Sequence, residues 1–176
     1  KVIEDPTFEK EYYGLMVKKG NEEVLNMLNE GLAKIKENGK LKEITGQDLQ
    51  GINGNLTGNY VLGADLDAST TASWESGAGF KPIGTYNSND TSQSFTGTFD
   101  GLGHTVSNLN INRPTKDYVG LFGYISGSTI KNIGLLGGAV TGEDYVGGLV
   151  GYNYNSSTVS DAYATGAVNA SPVTVE

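Results

Sequence analysis

The sequence offers few residues that could carry out catalysis. It contains one histidine, His104, and no cysteine. A catalytic nucleophile needs a neighbouring base, and that base needs a third group to orient it. With no second histidine and no clear base–orienter arrangement, we expect His104 to be a turn residue in the segment Gly101-Leu102-Gly103-His104-Thr105. We therefore predict no catalytic residue and no enzyme activity.

Two carboxylates have the spacing of a metal-binding motif. Asp65 and Asp67 form an Asp-x-Asp pair at the end of an alternating segment. A calcium ion takes about six to eight oxygen ligands, and two carboxylates fall short of that number. The lack of cysteine also excludes disulfides and thiolate metal sites. We interpret the pair as solvated or capping side chains, and we predict no metal and no cofactor.

Aromatic side chains mark a third kind of candidate site. Residues 68–94 are rich in Ser, Thr, Asn and Gly, and they include Trp74, Phe80 and Tyr86. Long excursions in a compact domain are usually functional or poorly ordered, and exposed aromatic rings can stack on a sugar or on a partner side chain. We predict that these three residues belong to a partner-binding loop. The alternative is a loop that its aromatic residues pin to the core.

The charge and hydropathy of the chain exclude some partners. The formal net charge is -8 and the sequence pI is about 4.6, which argues against binding to a phosphate backbone. No stretch approaches the ~18 apolar residues that a membrane span needs. We therefore predict no nucleic-acid binding and no membrane insertion. Because the sequence opens at Lys1 without a signal peptide, we expect a mature product or a fragment, with a natural mosaic or an engineered chain as open alternatives.

The charge is distributed unevenly along the chain. Residues 1–44 contain 8 of the 12 Lys+Arg and 9 of the 20 Asp+Glu, a net charge of -1. The remaining residues contain 4 and 11, a net charge of -7, with far more Gly and Asn. This shift predicts two parts, a strand–helix segment at residues 1–46 and a repeat region at residues 47–176.

The repeat region contains nearly the same sequence twice. Asp117-Tyr118-Val119-Gly120 recurs as Asp144-Tyr145-Val146-Gly147. Each copy later has an Asn or Asp two residues after an apolar residue, and an earlier instance has the same pattern. A spacing of about 25 to 30 residues is typical of stacked repeats. The polar positions are Asn108, Asn132 and Asp161, and we expect the apolar ones to form one internal column, namely Val106, Ile130 and Val159.

The local pattern predicts short strands that are joined by corners. Val119, Leu121 and Ile125 alternate as they would in a half-buried strand. Between Ile130 and Ile133 the apolar residues no longer alternate, so the chain must turn a corner there. We place this corner near Asn132, because Asn tolerates a left-handed backbone. In the second copy Gly147-Gly148 inserts one residue, as a β-bulge would. These features predict a mainly β fold, a β-solenoid whose coils bury their apolar faces on one another.

Residues 1–44 predict a strand followed by an amphipathic helix. Residues 12–17 form a short apolar run, Asn21 is a good N-cap, and Gly39 is a C-terminal stop. A strand and one helix cannot bury both of their faces alone, so we expect this segment to cap the first coil. The apolar stripe of the helix consists of Val24, Leu25, Leu28, Leu32 and Ile35.

The N-terminal segment also resembles a known family. Residues 13–21, the helix and residues 36–44 are similar to the closing segment of polar amino-acid-binding periplasmic proteins of ABC importers. The resemblance covers about a quarter of the chain. It implies a piece of a two-lobed α/β domain in which other segments hold most of the ligand. It therefore assigns no ligand-binding residue here.

The repeat region resembles a different family. Residues 95–106 lead into Val119-Gly120-Leu121-Phe122-Gly123 and into 146–151, and together they are similar to the GLUG repeat. The resemblance covers roughly residues 47–168. It implies a right-handed parallel β-helix like those of filamentous-haemagglutinin-like adhesins and other large bacterial surface proteins. No His-Glu-x-x-His is present, so the peptidase chemistry of some GLUG-containing proteins does not transfer.

Three functions follow from these patterns. The first is a non-catalytic adhesin-like module of a secreted or cell-surface bacterial protein, which binds a host or neighbouring-cell protein or glycan. The second is a solute-binding fragment for a polar amino acid, which rests on residues 1–44. The third is a polysaccharide-acting β-helix enzyme, which needs a carboxylate pair at a defined separation. An open last coil also predicts self-association through the end of the solenoid.

Overall fold

The computed structural model describes residues 22–37, 41–44, 46–90 and 93–170. The predicted strand at 12–17, the N-cap Asn21 and the stop at Gly39 lie outside these ranges. Helix α1 spans Glu22–Glu37, which confirms the predicted helix. Its last turn contains Lys34 and Lys36, which favourably oppose the partial negative charge of the helix C-terminus. The side chains of the apolar stripe are not among those described, so the cap stays a prediction.

After α1 most of the regular secondary structure consists of short strands. They are β1 Lys42–Ile44, β2 Asn59–Leu62, β3 Leu66–Asp67, β4 Thr98–Asp100, β5 Thr105–Ser107, β6 Asn110–Asn112, β7 Phe122–Ser126, β8 Thr129–Leu136, β9 Ala139–Gly142, β10 Val150–Tyr154, β11 Thr158–Ala164 and β12 Ala167–Ala170. A 3-10 helix, Gly46–Gly54, and a second 3-10 segment, Ser69–Gly77, lie between them, and the second is interrupted by non-helical backbone at residues 74–76. The predicted mainly β fold is confirmed.

All the strand pairs of the described region are parallel. One sheet has the order β1-β2-β4-β8-β5-β3 with β11 beside β8, a second pairs β10 with β7, and a third has the order β12-β9-β6. Strand β8 is long enough for its first half to pair with β4 and its second half with β5. The chain therefore passes through the sheets and returns one layer higher. We call each passage a coil; the last coil is residues 143–170 and the preceding coil is residues 116–142.

The predicted strand–helix segment contacts the repeat region, and the boundary at residues 46 and 47 stays a prediction. Strand β1 pairs with β2 in parallel register, with Glu43 opposite Val61. Lys36 at the end of α1 donates a hydrogen bond to Glu43, with 2.5 Å between Nζ and Oε2. The helix is therefore tied to the first strand of the stack by an ion pair between two half-exposed side chains.

The backbone is left-handed at all three predicted polar residues, with a φ angle of +59° at Asn108. Asn132 and Asp161 have φ angles of +54° and +49°, and they lie at equivalent positions of adjacent coils. Asn and Asp adopt this left-handed conformation more readily than most residues. The Asn132 side chain also donates to Asp100 Oδ1 of the coil below, at 2.9 Å. The predicted corner at Asn132 is confirmed, and this hydrogen bond connects it to the preceding coil.

The register of the predicted internal column is right for Ile130 and Val159 and wrong for Val106, and Val159 is exposed rather than internal. Ile130 lies opposite Val159, but its other neighbour is Phe99, and Val106 lies opposite Leu135 instead. The reason is the turn at 101–104, where the chain takes more residues to pass the corner than Asn132 needs. The Gly101 N–H donates to the Lys131 carbonyl and the Gly103 N–H to the Asn132 carbonyl. Val106 therefore lies after that corner rather than before it.

The predicted one-residue insertion at Gly147-Gly148 is confirmed by the register. Val119 lies opposite Val146, whereas Phe122 lies opposite Val150, so the last coil uses one more residue between these positions. Leu149 is buried in the core as the bulge requires. The insertion thus keeps the apolar residues of the two coils in line.

Most apolar side chains of the coils before residue 143 are buried, whereas most of those of the last coil are partly exposed to solvent. Phe122 packs against Phe95 and Phe99, with ring centroids 5.1 Å and 5.4 Å away. Ile130 is 0% exposed, but Val159, its neighbour in the last coil, is 38% exposed. The last coil has a partner on one side only among the described residues, and for that reason its apolar side chains meet solvent.

Candidate binding site, a cluster of six tyrosines

Six tyrosines from three parts of the chain form one continuous cluster of rings. Neighbouring ring centroids are 4.9 Å to 6.5 Å apart, which is the range in which aromatic pairs attract each other. We call this group the tyrosine cluster. Its members are Tyr86, Tyr118, Tyr124, Tyr145, Tyr152 and Tyr154.

The sequence repeat positions four of these rings as two parallel pairs. Tyr118 and Tyr145 precede the paired residues Val119 and Val146, and their rings stack at 4.9 Å with 5° between the planes. Tyr124 of β7 lies opposite Tyr152 of β10, with rings 5.3 Å apart and 17° between the planes. Stacking along the coils follows directly from parallel pairing in register.

The two parallel pairs meet edge to face. The planes of Tyr118 and Tyr124 cross at 74° with centroids 5.5 Å apart. The planes of Tyr145 and Tyr152 cross at 84° with centroids 5.1 Å apart. This arrangement brings the positive ring edge of one tyrosine to the negative ring face of the other, which is a favoured geometry. The cluster is therefore held by its own contacts as well as by the sheets.

Tyr86 joins the cluster from a surface excursion. The chain leaves the stack after Ile83, which lies opposite Phe122, and returns at Phe95, which lies opposite Ile125. The excursion is closed at its base by a hydrogen bond of 2.8 Å from the Thr85 N–H to the Gln93 carbonyl. Tyr86 then packs against Tyr118 and Tyr124, with centroids 5.2 Å and 5.3 Å away.

Two of the six tyrosines have an unusual backbone conformation. Tyr118 and Tyr145 have φ angles of +58° and +56°. A left-handed conformation costs a bulky L-residue roughly 1–2 kcal/mol, and it persists only where the surroundings hold it. The Tyr118 N–H donates to the Asp144 carbonyl at 3.0 Å and the Val119 N–H donates to the Tyr145 carbonyl at 3.1 Å. These bonds between coils keep both tyrosines at the surface.

The cluster combines a covered base with exposed rings. Tyr124 is buried, whereas Tyr86, Tyr145 and Tyr154 are 47%, 51% and 54% exposed. Burial is the main cause that raises the pKa of Tyr118 and the pKa of Tyr124 above the ordinary 10.0, and neighbouring tyrosines and, for Tyr118, Asp117 add to it. At neutral pH these two phenols are uncharged, so the cluster offers ring surface and neutral hydroxyl groups.

The structure separates the three residues of the predicted binding loop. Phe80 is a core residue with 1% exposure, so the prediction that it contacts a partner is wrong: its backbone pairs with the coil above through a hydrogen bond to the Asn110 carbonyl, which turns the ring inward. Trp74 is half-buried and stacks on Phe80, with centroids 6.4 Å apart. Tyr86 is exposed and belongs to the tyrosine cluster. Phe80 therefore fits the alternative interpretation, in which aromatic residues anchor the loop to the core.

The sequence interpretation missed five of the six tyrosines. The signal was present, because Asp-Tyr-Val-Gly occurs in both copies and is followed in each by a second tyrosine after a glycine. Those two glycine–tyrosine pairs are Gly123-Tyr124 and Gly151-Tyr152. The repeated apolar residues predict the buried positions of each coil, whereas the repeated tyrosines indicate positions at the surface.

The other candidate groups tie neighbouring coils together. His104 is buried, and its Nδ1 lies 3.1 Å from Asp65 Oδ1, which also accepts the Thr105 N–H at 2.8 Å. The Thr105 bond, followed by the His104 contact, lowers the pKa of Asp65. Asp67 accepts the Ser69 N–H within a local turn and the Asn108 side-chain amide from the next coil. Among the described residues, no group of three or more His, Cys, Asp or Glu could hold a metal ion.

Comparison with known proteins identifies the repeat. Residues 142–169 match the GLUG motif, which includes three of the cluster tyrosines and confirms that part of the predicted resemblance. The chain is similar to Halomucin of Haloquadratum walsbyi, with 41% identity over 128 residues, and to a putative Gly-rich membrane protein of Evansella cellulosilytica, with 34% identity over 124 residues. These matches cover 69% and 68% of this chain, but only 1% and 14% of those proteins.

Two further observations concern solved structures and membrane-spanning helices. No solved structure matches the chain. Within the described ranges, no helix has the length and apolar character that a membrane span requires. The resemblances to filamentous-haemagglutinin-like adhesins and to periplasmic binding proteins remain predictions.

Proposed function

We propose that the chain is a non-catalytic, adhesin-like module of a secreted or cell-surface protein. In this proposal the coils form a right-handed parallel β-helix, as in filamentous-haemagglutinin-like proteins, and serve as a rigid support. The tyrosine cluster is the surface that contacts a protein or a glycan of a host or neighbouring cell. The observation that carries the proposal is the set of three half-exposed tyrosines on a covered aromatic base.

The geometry of the cluster suits binding because its rings are already ordered. Association normally costs free energy for immobilising side chains, about 0.5–1.5 kcal/mol for each flexible one. Stacking on neighbouring coils places Tyr118 and Tyr145 before any partner arrives. Tyrosine also offers a large apolar ring and a hydroxyl group with only two side-chain torsions. A pre-ordered tyrosine surface therefore needs little additional ordering to bind.

The named relatives support a location at the cell surface. One is called a halomucin and the other a putative membrane protein, and this chain spans a small fraction of each. Repeats that stack on one another are suited to such long proteins, because each coil needs only its neighbours for stability. We extend the surface location, but no activity or partner, from those relatives to this chain.

A binding array with matched variants tests the proposal. We expect the isolated chain to bind at least one component of a host-protein and glycan array. We expect the variant Tyr86→Ala/Tyr145→Ala/Tyr154→Ala to lose that binding while it keeps the circular dichroism spectrum of the parent. Tyr163→Ala is the control, because Tyr163 is equally exposed but packs on Gly134, away from the cluster. Equal binding by the parent and the triple variant would contradict the proposal.

A further inference from the structure

Two carboxylates border the tyrosine cluster. Asp117 and Asp144 immediately precede Tyr118 and Tyr145, and both side chains are exposed. The Asp144 N–H donates to Asp117 Oδ1 at 3.2 Å, so the two acidic residues lie one above the other in adjacent coils. In the described part of the chain, neither carboxylate forms an ion pair with a lysine or arginine. Among the described residues, these two carboxylates therefore give the border of the cluster negative charge that no ion pair neutralises.

This charge lies close to the aromatic rings. Like charges on adjacent coils repel each other, and the repulsion weakens when a cation approaches both. The charge of Asp117 contributes to the raised pKa of Tyr118, after burial and the phenols of Tyr145 and Tyr86, so the carboxylate and the ring interact. Ring faces carry negative partial charge and attract cations as well. Carboxylates and rings thus act in the same direction on a positively charged group.

The remainder of the repeat region has the same sign. Residues 45–176 contain 4 Lys+Arg and 11 Asp+Glu, a net charge of -7. Such a field attracts cationic partners and repels anionic ones. The planar guanidinium group of arginine fits this border better than an ammonium group, because it can stack on tyrosine and donate two hydrogen bonds to a carboxylate at once.

Resting on the proposed function, we propose that the partner of the tyrosine cluster is a protein segment rich in arginine. Its guanidinium groups stack on the exposed rings of Tyr145 and Tyr86 and pair with Asp117 and Asp144. A neutral glycan can stack on the rings and donate hydroxyl hydrogen bonds to the two carboxylates, but it lacks the positive charge that attracts a guanidinium group to them. Charge complementarity therefore favours the basic segment over a sugar.

The test measures binding of a fluorescent nona-arginine peptide by anisotropy, with the citrulline peptide of equal length as the uncharged probe. We expect the arginine peptide to bind and the citrulline peptide not to bind. The variant Asp117→Asn/Asp144→Asn keeps the acceptor for the Asp144 N–H and weakens binding by about tenfold or more, since each charge-assisted contact that is lost contributes. Raising the salt from about 0.05 M to about 0.5 M weakens it further.

A control variant that removes two carboxylates elsewhere distinguishes binding at the cluster from attraction to the net negative charge of the chain. Glu30→Gln/Asp48→Asn removes two exposed carboxylates elsewhere, and it changes binding less than twofold if the cluster is the site. Equal losses in the two double variants would overturn the proposal, as would equal binding of arginine and citrulline peptides. If the tyrosine variant loses an array partner while the Asp variant keeps it, the adhesin-like function stands and the cationic partner falls. If the tyrosine variant loses nothing in either assay, both fall.

Discussion

Tyr118 and Tyr145 stack in parallel one coil apart, 4.9 Å between centroids, although both residues have positive φ angles. The chain thus repeats a strained backbone conformation in order to place the same ring at the same surface position. The stacking and the bonds between coils offset this strain. The relationship connects the sequence repeat, the coil geometry and the candidate site in two residues.

Substitutions at Tyr118 separate backbone strain from ring packing. We expect Tyr118→Gly to be more stable than Tyr118→Ala by about 1 kcal/mol, because glycine adopts positive φ without a steric cost. Both variants lose the ring contacts and are less stable than the parent, whereas Tyr118→Phe keeps the rings and stays within about 0.5 kcal/mol of it. Urea unfolding measures the three differences. A glycine variant that is less stable than the alanine variant would show that the strain is not significant.

The last coil should tolerate truncations that the preceding coil does not. Ile130→Ala removes a fully buried side chain from the middle of the column, and we expect a loss of about 2–5 kcal/mol. Val159→Ala, at the paired position of the last coil, should cost less than about 1 kcal/mol because its side chain already meets solvent. Thermal unfolding of dilute protein measures both. Similar losses in the two variants would indicate that another chain covers the last coil in solution.

Two glycines should respond to alanine in opposite directions. A Cβ atom added at Gly97 would overlap the Gly58 carbonyl oxygen, and this backbone group cannot move without disturbing the pairing of β2 with β4. We expect Gly97→Ala to cost about 3 kcal/mol in unfolding free energy. At Gly31, inside α1, an added Cβ meets no described atom within 4 Å, so Gly31→Ala should increase the helical signal and stabilise the helix by about 1 kcal/mol. Circular dichroism with urea unfolding distinguishes the two outcomes, and a neutral Gly97→Ala would contradict the close approach of these coils.

The tyrosine cluster makes stability depend on alkaline pH. Because burial raises the pKa values of Tyr118 and Tyr124, the folded chain holds these protons at pH values where the unfolded chain releases them. The contribution to stability is therefore complete below the ordinary pKa of 10.0 and is lost as the pH rises above it toward the folded values. Phenolate absorbance during a pH titration should show a late-ionising group of tyrosines. That late group should shrink in Tyr118→Phe/Tyr124→Phe, and an unchanged titration curve would count against the burial of these phenols.

The sequence alone determined the features that depend on local chemistry. The repeat spacing, the corner at Asn132 and the extra residue at Gly147-Gly148 could be predicted because alternation, tolerance of positive φ and residue count are properties of short segments. The GLUG motif at 142–169 was recognisable for the same reason. Helix α1 could also be predicted from the apolar spacing within its own sequence.

The tertiary structure decided what depends on the path between coils. The long turn at 101–104 moved Val106 to the position opposite Leu135, and no local pattern counts the residues that such a turn consumes. The hydrogen bonds of residues 79–84 with the neighbouring coils buried Phe80 and left Tyr86 outside. The tyrosine cluster itself exists only because parallel pairing superposes residues about one repeat apart, and register of that kind is a property of the assembled stack rather than of any one segment.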